Sequence, residues 1–104
     1  MAEFRAAYAK YAQDLDDAGV LISADILKPT SASTTVTLRT GSLQIQDGPF
    51  ADTKEQLGGI VIIDVPDLDS ALEWARQAPP ASWGTVEVRP GAVHIEAGAW
   101  VPSS

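Results

Sequence analysis

Apolar positions recur along this chain with two different periods, and the changes between them mark the elements. Over residues 2–18, Phe4, Tyr8, Tyr11 and Leu15 follow one another at steps of four, three and four. That spacing lays them on one stripe of an amphipathic helix. Ala6, Ala7, Ala9 and Ala12 favour the same helix, and Gly19 suits the residue just past its end. Val20 to Leu27 then reads as a strand. Thr34 to Arg39 and Leu43 to Gln46, joined through Thr40-Gly41-Ser42, predict a hairpin. Gly59 to Val65 is an unbroken apolar run, which predicts a strand covered on both faces. Asp67 can cap a second helix from which Leu68, Ala71, Leu72, Trp74 and Ala75 face inward, and Pro79-Pro80 ends it. Thr85 to Arg89 and Ala92 to Trp100 predict two last strands joined by Pro90-Gly91.

The resulting order, α-β-β-β-β-α-β-β, predicts an α+β fold: one antiparallel sheet with both helices on one face. Phe4, Tyr11, Leu15, Val61, Ile63, Leu68 and Leu72 are expected in its core. A sheet covered on one side leaves its other face bare. That face would carry apolar side chains from several strands, too many for a solvated surface, so a homodimer packed through the helix-free faces is expected.

Composition narrows the function classes. At 104 residues and 45% hydrophobic, the chain has the size of a single domain, 1–104, with material for a core. It has no cysteine, which removes disulfides, thiolate metal sites and a cysteine nucleophile and is compatible with a reducing cytoplasm. A net charge of −7, without clustered Lys and Arg, argues against nucleic acid as a partner. No apolar run is long enough to span a bilayer and no signal-peptide pattern opens the chain, so no membrane association is expected.

The most specific stretch is Asp47-Gly48-Pro49-Phe50-Ala51-Asp52-Thr53-Lys54-Glu55-Gln56-Leu57-Gly58-Gly59. Physically it is a Gly-Pro turn, a polar segment and a Gly-Gly entry into the apolar strand. It resembles the signature of the DGPF subgroup of the YCII-related family. Ala18 to Leu21, Thr34 to Val36, Asp64 to Asp69, Ala71 to Ala75 and Gly84 to Pro90 resemble the same family in the same order, covering roughly residues 2–90. The resemblance implies a ferredoxin-like antiparallel sheet in a dimeric α+β barrel. Family members begin with an apolar strand that this N-terminus lacks, whereas Ala92 to Trp100 offers a similar strand at the other end. A circularly permuted arrangement is therefore expected, natural or engineered. In it, residues 92–100 pair back along 85–89 and fill the first strand's slot beside 59–65. An ordinary C-terminal extension is the alternative. The His and Asp associated with catalysis in the enzymatic branch correspond to Tyr8 and Ala78 here, which lowers the case for that chemistry.

His94 is the only histidine and the side chain best suited to titrate near neutrality. With Val93 and Ile95 turned to the core, His94 would face the inter-subunit cleft, either as a ligand contact or as a structural interface residue. Asp47 and Trp100 are the nearest candidates to share that site. Asp47 would either face a pocket beside Arg39 or cap the Gly48–Phe50 turn. Phe50 reads as a plug, Trp74 as core and Trp83 as a rim residue. Asp52, Lys54 and Glu55 read as a local polar cluster or, more simply, a solvated face, and Arg89 can pair with Glu87 or with a partner's carboxylate. A single histidine precludes a paired-histidine metal motif, Gly58-Gly59 lacks the spacing of a phosphate loop, and no cofactor is expected. Two functions follow: a small-molecule site, binding or catalytic, in a homodimer, or a non-catalytic regulatory or assembly protein. An engineered permutant without retained activity is a third reading.

Overall fold

The structure is a computed structural model that describes residues 2–51 and 56–103. The element order is α1 (Ala2–Asp17), β1 (Leu21–Ile26), a 3-10 turn (Thr30–Ala32), β2 (Thr34–Arg39), β3 (Ser42–Asp47), β4 (Gly59–Ile63), α2 (Leu68–Gln77), a second 3-10 turn (Pro79–Ser82), β5 (Val93–Glu96) and β6 (Ala99–Pro102). The fold is thus α+β, with two helices and small antiparallel sheets. Both helices and the first four strands fall where the hydrophobic pattern places them. The chain divides into two compact units, 1–21 with 63–104 and 22–62.

The first unit is held by its helices. Gly19, at positive φ, ends α1, and its N–H donates to the Asp16 carbonyl. The Asp67 carboxylate accepts from the Ser70 backbone N–H at 2.8 Å and caps α2. The Tyr11 hydroxyl donates to the Trp74 carbonyl at 2.8 Å, tying α1 to α2, and the two rings meet edge to face at 6.5 Å. Leu15 is fully buried and Tyr11 nearly so. Phe4, Trp74, Val61 and Ile63 are half-buried, whereas Leu68 and Leu72, expected inside, are exposed. The reason is the rotation of α2: the side joined to Tyr11 carries Ala71, Trp74 and Ala75, which leaves Leu68 and Leu72 beside the contact.

The second unit consists of strands. In the β2–β3 hairpin the register runs from Thr34 opposite Asp47 to Arg39 opposite Ser42. Its two-residue loop, Thr40-Gly41, has positive φ at both positions, the geometry that matches the twist of a hairpin. β1 pairs with β4. The flanking bonds, Leu27 N–H to the Gly58 carbonyl and Asp64 N–H to the Val20 carbonyl, make that pair antiparallel. Burial along β4 alternates: Val61 and Ile63 are half-covered, while Ile60 and Ile62 are about half exposed. The expected cover on both faces is therefore not present. An unbroken aliphatic run satisfies a one-sided strand as readily as a two-sided one.

Three expectations are corrected. The strands form three two-stranded sheets among the described residues, not one sheet. The 85–90 segment is not a strand. Nor is 92–100 a single strand pairing with 85–89: it bends at Ala97-Gly98, both at positive φ, into the β5–β6 hairpin, with Val93 opposite Pro102 and Glu96 opposite Ala99. The strand pairing on which the permuted topology rests is thus replaced by a local one. Both pairings close through two-residue loops, Pro90-Gly91 or Ala97-Gly98, so loop entropy does not separate them; the positive φ at Ala97 and Gly98 is what turns the segment back on itself.

Two outcomes check this description. Ala97→Asn places a residue that tolerates positive φ in the β5–β6 turn and should stabilise the protein by about 0.5–1 kcal/mol in urea unfolding. A continuous strand through Ala97 would instead be weakened. The Ser70 N–H holds the Asp67 carboxyl below its ordinary range. A carboxyl depressed in the folded state contributes stability at neutral pH that is lost as pH falls through the folded value. Asp67→Asn keeps a capping oxygen but should flatten the acid side of the melting-temperature profile below about pH 4.

Candidate functional site

The four candidate site residues lie on the two hairpins, and neither hairpin brings its two candidates together. On β2–β3, Arg39 ends β2 at the tip while Asp47 ends β3 at the base. They are five positions apart along the ladder, roughly 16 Å, and alternation puts them on opposite faces. The expected pocket shared by Asp47 and Arg39 is absent for that reason. The turn after Asp47 is held by other groups: the Gly48 N–H donates to the Ser33 carbonyl at 2.7 Å, and the Thr35 hydroxyl donates to the Gly48 carbonyl at 2.7 Å. Phe50, expected to be a plug, is 77% exposed. Asp52, Lys54 and Glu55 lie outside the described residues.

On β5–β6, His94 pairs with Val101 and Ile95 with Trp100. His94 thus shares a face with Glu96, Ala99 and Val101, and Trp100 lies on the opposite face with Val93 and Ile95. His94 alternates with Val93 and Ile95 as expected, but those two are exposed instead of turned into a core, because β5 pairs only with β6 among the described residues. Trp100 lies on their face and not on that of His94. Instead His94 has partners that the sequence reading passed over. Its Nε2 lies 3.0 Å from Glu96 Oε1 and its Nδ1 lies 3.3 Å from Ser103 Oγ. An ionised Glu96 only accepts, so in the neutral ring Nε2 carries the proton and Nδ1 is left to accept from the Ser103 hydroxyl. The period of two along a strand was the available signal for Glu96, two residues from His94. Nothing in the sequence pointed to Ser103, which returns to His94 only through the β5–β6 turn, with its N–H donating to the Ala92 carbonyl.

This chain of carboxylate, imidazole and hydroxyl can offer one anion, one neutral ring and one hydroxyl to a polar ligand. His94 and Glu96 have side chains 47% and 69% exposed, so water competes for every one of these groups. Among the described residues no cluster of three metal-binding side chains occurs.

A second feature lies within the helical unit. An open groove of about 540 Å³ runs between α1 and the turn after α2, with Phe4, Tyr11, Pro79 and Trp83 as its apolar surface and the Lys10–Asp14 ion pair at its side. The Phe4 and Trp83 rings meet tilted by 55° at 5.6 Å, and Trp83 is 66% exposed at the edge of the groove. Burial, and secondarily the neighbouring Tyr8, raises the Tyr11 hydroxyl above its ordinary value of 10.0, which keeps it a neutral donor to Trp74.

Comparison with known proteins decides the family. Residues 1–91 match the YCII-related domain. The chain belongs to the YCII-related family. An uncharacterized protein of Rhizobium meliloti (strain 1021) is 42% identical to it over 96 residues, covering 90% of this chain and 74% of that relative. The YCII-related match ends two residues before β5, so the His94, Glu96 and Ser103 group lies outside the matched segment while α1, α2 and β1–β4 lie within it.

Proposed function

We propose that this YCII-related chain is one subunit of a homodimer of the dimeric α+β barrel type. In this reading a small molecule is held against strand faces free of helix, and no reaction is assigned. One observation carries it. Eighteen large apolar side chains are exposed among the described residues, against two that are buried, Tyr11 and Leu15. Single exposed apolar residues are ordinary, but contiguous sets on Ile60 and Ile62 of β4 and on β2–β3 exceed what a monomer keeps in water.

The Asp47 to Phe50 run supports placement in the DGPF subgroup. Circular permutation retains support only from the composition of Ala92 to Trp100, because those residues pair among themselves. For the ligand site, His94 with Glu96 and Ser103 is the group we favour as the polar contact; Trp100, 77% exposed, offers a stacking surface on the other side of that hairpin. Asp47 and Arg39, at opposite ends of the β2–β3 hairpin, do not support a joint ligand contact. The absence of cysteine fits a cytoplasmic setting. A regulatory or assembly role without chemistry is favoured by the net charge of −7, which suits a basic partner.

Sedimentation velocity at micromolar concentration should show a dimer, with total burial above about 1,200 Å². A monomer would overturn the reading. A metabolite panel screened by thermal shift should yield ligands whose shift is lost in His94→Gln. Unchanged shifts in that variant would remove His94 from the site and leave the assembly role.

A further inference from the structure

We infer that Ser103 is a nucleophile activated through His94 on the β5–β6 hairpin, and that it accepts short, neutral acyl groups from activated esters. The inference goes beyond the ligand-contact reading of His94 and does not depend on the dimer.

The hairpin register builds the site. His94 stands opposite Val101 and Glu96 opposite Ala99, so these four side chains share one face. Ser103 is the first residue past the ladder, two positions beyond Val101, and the same alternation returns its side chain to that face. Its main chain is fixed there, because its N–H donates to the Ala92 carbonyl at 3.0 Å. Its hydroxyl rests against the backbone at Gly91, where a Cβ would stand 3.4 Å from Ser103 Oγ. Ser103 is half-buried, and His94 and Glu96 beside it are open to an incoming molecule.

The three polar groups follow the order that activation of a hydroxyl requires. Glu96 Oε1 lies 3.0 Å from His94 Nε2, and His94 Nδ1 lies 3.3 Å from Ser103 Oγ. With the Nε2 proton held by Glu96, the lone pair of Nδ1 is directed at the Ser103 hydroxyl, and the carboxylate also stabilises the imidazolium that forms. A spacing of 3.3 Å is the looser contact usual in an unliganded site. In the step, Ser103 Oγ bonds to the carbonyl carbon of the ester while its proton passes to Nδ1. The bond from that carbon to the leaving oxygen breaks, and the leaving group takes the proton from His94. The acyl group stays on Oγ as a serine ester, and nothing is oxidised or reduced. Ser103 and His94 thus touch the reacting atoms, and Glu96 is a positioning residue.

The surroundings select the substrate. Ala99 and Val101 give a small apolar surface on the same face, enough for a short acyl chain. Glu96 repels an acyl group that carries its own negative charge. The side chains of His94 and Glu96 are 47% and 69% exposed, so water weakens the field that an enclosed site would exert, and the leaving group must be a good one.

The test treats the full chain with 4-nitrophenyl acetate, follows release of 4-nitrophenolate, and locates the acetyl group by peptide mass spectrometry. Far-UV circular dichroism confirms that each variant is folded. The wild type should show a stoichiometric burst with the acetyl group on Ser103, and Ser103→Ala should lose that burst. His94→Gln should slow acetylation of Ser103 at least about tenfold. Nitrogen-15 NMR of the single histidine reads the part played by Glu96. The wild type should hold the Nε2–H tautomer, and Glu96→Ala should lose that preference and slow the burst. Acetylation of lysines or of His94 without Ser103 would overturn the inference. So would His94→Gln acetylating Ser103 as fast as the wild type, which would make Ser103 an ordinary surface hydroxyl. An unchanged tautomer and burst in Glu96→Ala would break the three-group chain, and the inference would fail as stated. The dimer and the thermal-shift ligands are judged by their own measurements and stand or fall separately.

Discussion

The chain makes more aliphatic strand surface than its own elements cover, and this excess governs the rest of the structure. Two residues, Tyr11 and Leu15, are buried among those described, both in the helical unit. The strand unit has no buried residue among those described and is built of two antiparallel pairs. Pairs of strands hold their backbone hydrogen bonds but offer no interior, and burial rather than hydrogen bonding supplies most of the driving force for folding. The helices are fixed within their unit by a few directional contacts, namely the Asp67 cap and the Tyr11 hydroxyl on the Trp74 carbonyl. The strands have turns and registers of comparable definition and still expose their aliphatics.

That imbalance links fold to function. In the proposed homodimer the ligand surface and the assembly surface are the same kind of face, a strand face that the chain's own elements leave uncovered. The β5–β6 hairpin shows the polar side of this arrangement, with Glu96 fixing the His94 tautomer and Ser103 completing the chain of hydrogen bonds. Its exposure in a single chain leaves these groups solvated, so selectivity for a ligand requires a neighbouring surface to exclude water.

Much of the fold was legible because periodicity is a local property. The step of four, three and four from Phe4 to Leu15 specifies α1, Asp67 specifies the start of α2, and Thr40-Gly41 specifies a two-residue turn. The tail was misread because Ala97 carries no turn signal: alanine seldom takes positive φ, and only the Gly98 beside it hinted at a bend. The strand at 85–89 was expected from alternation of Val86 and Val88 with Glu87 and Arg89. Alternation supplies a suitable face but not a partner, and those residues form no ladder; the Arg89–Glu87 pair predicted there does form, as an exposed contact that contributes little. Leu68 and Leu72 were placed inside from helix spacing alone, whereas the rotation of α2 is set by where Tyr11 reaches Trp74, a tertiary fact. For the candidate site, the position of His94 on its strand was readable and its partner Ser103 was not, because that contact depends on the turn. Arg39 and Asp47 were grouped by nearness in sequence, and only the register showed them at opposite ends of one hairpin.

The central claim is that a second copy of the chain covers the aliphatic face of the strand unit. Amide hydrogen exchange followed by mass spectrometry across a dilution series tests it most directly, because opening of β2–β3 is then coupled to dissociation. The account predicts that protection over residues 34–47 falls as the protein is diluted through the dimer dissociation constant, while protection of α1 around Tyr11 and Leu15 changes little. Exchange over 34–47 that is independent of concentration, in a protein that remains folded, would contradict it.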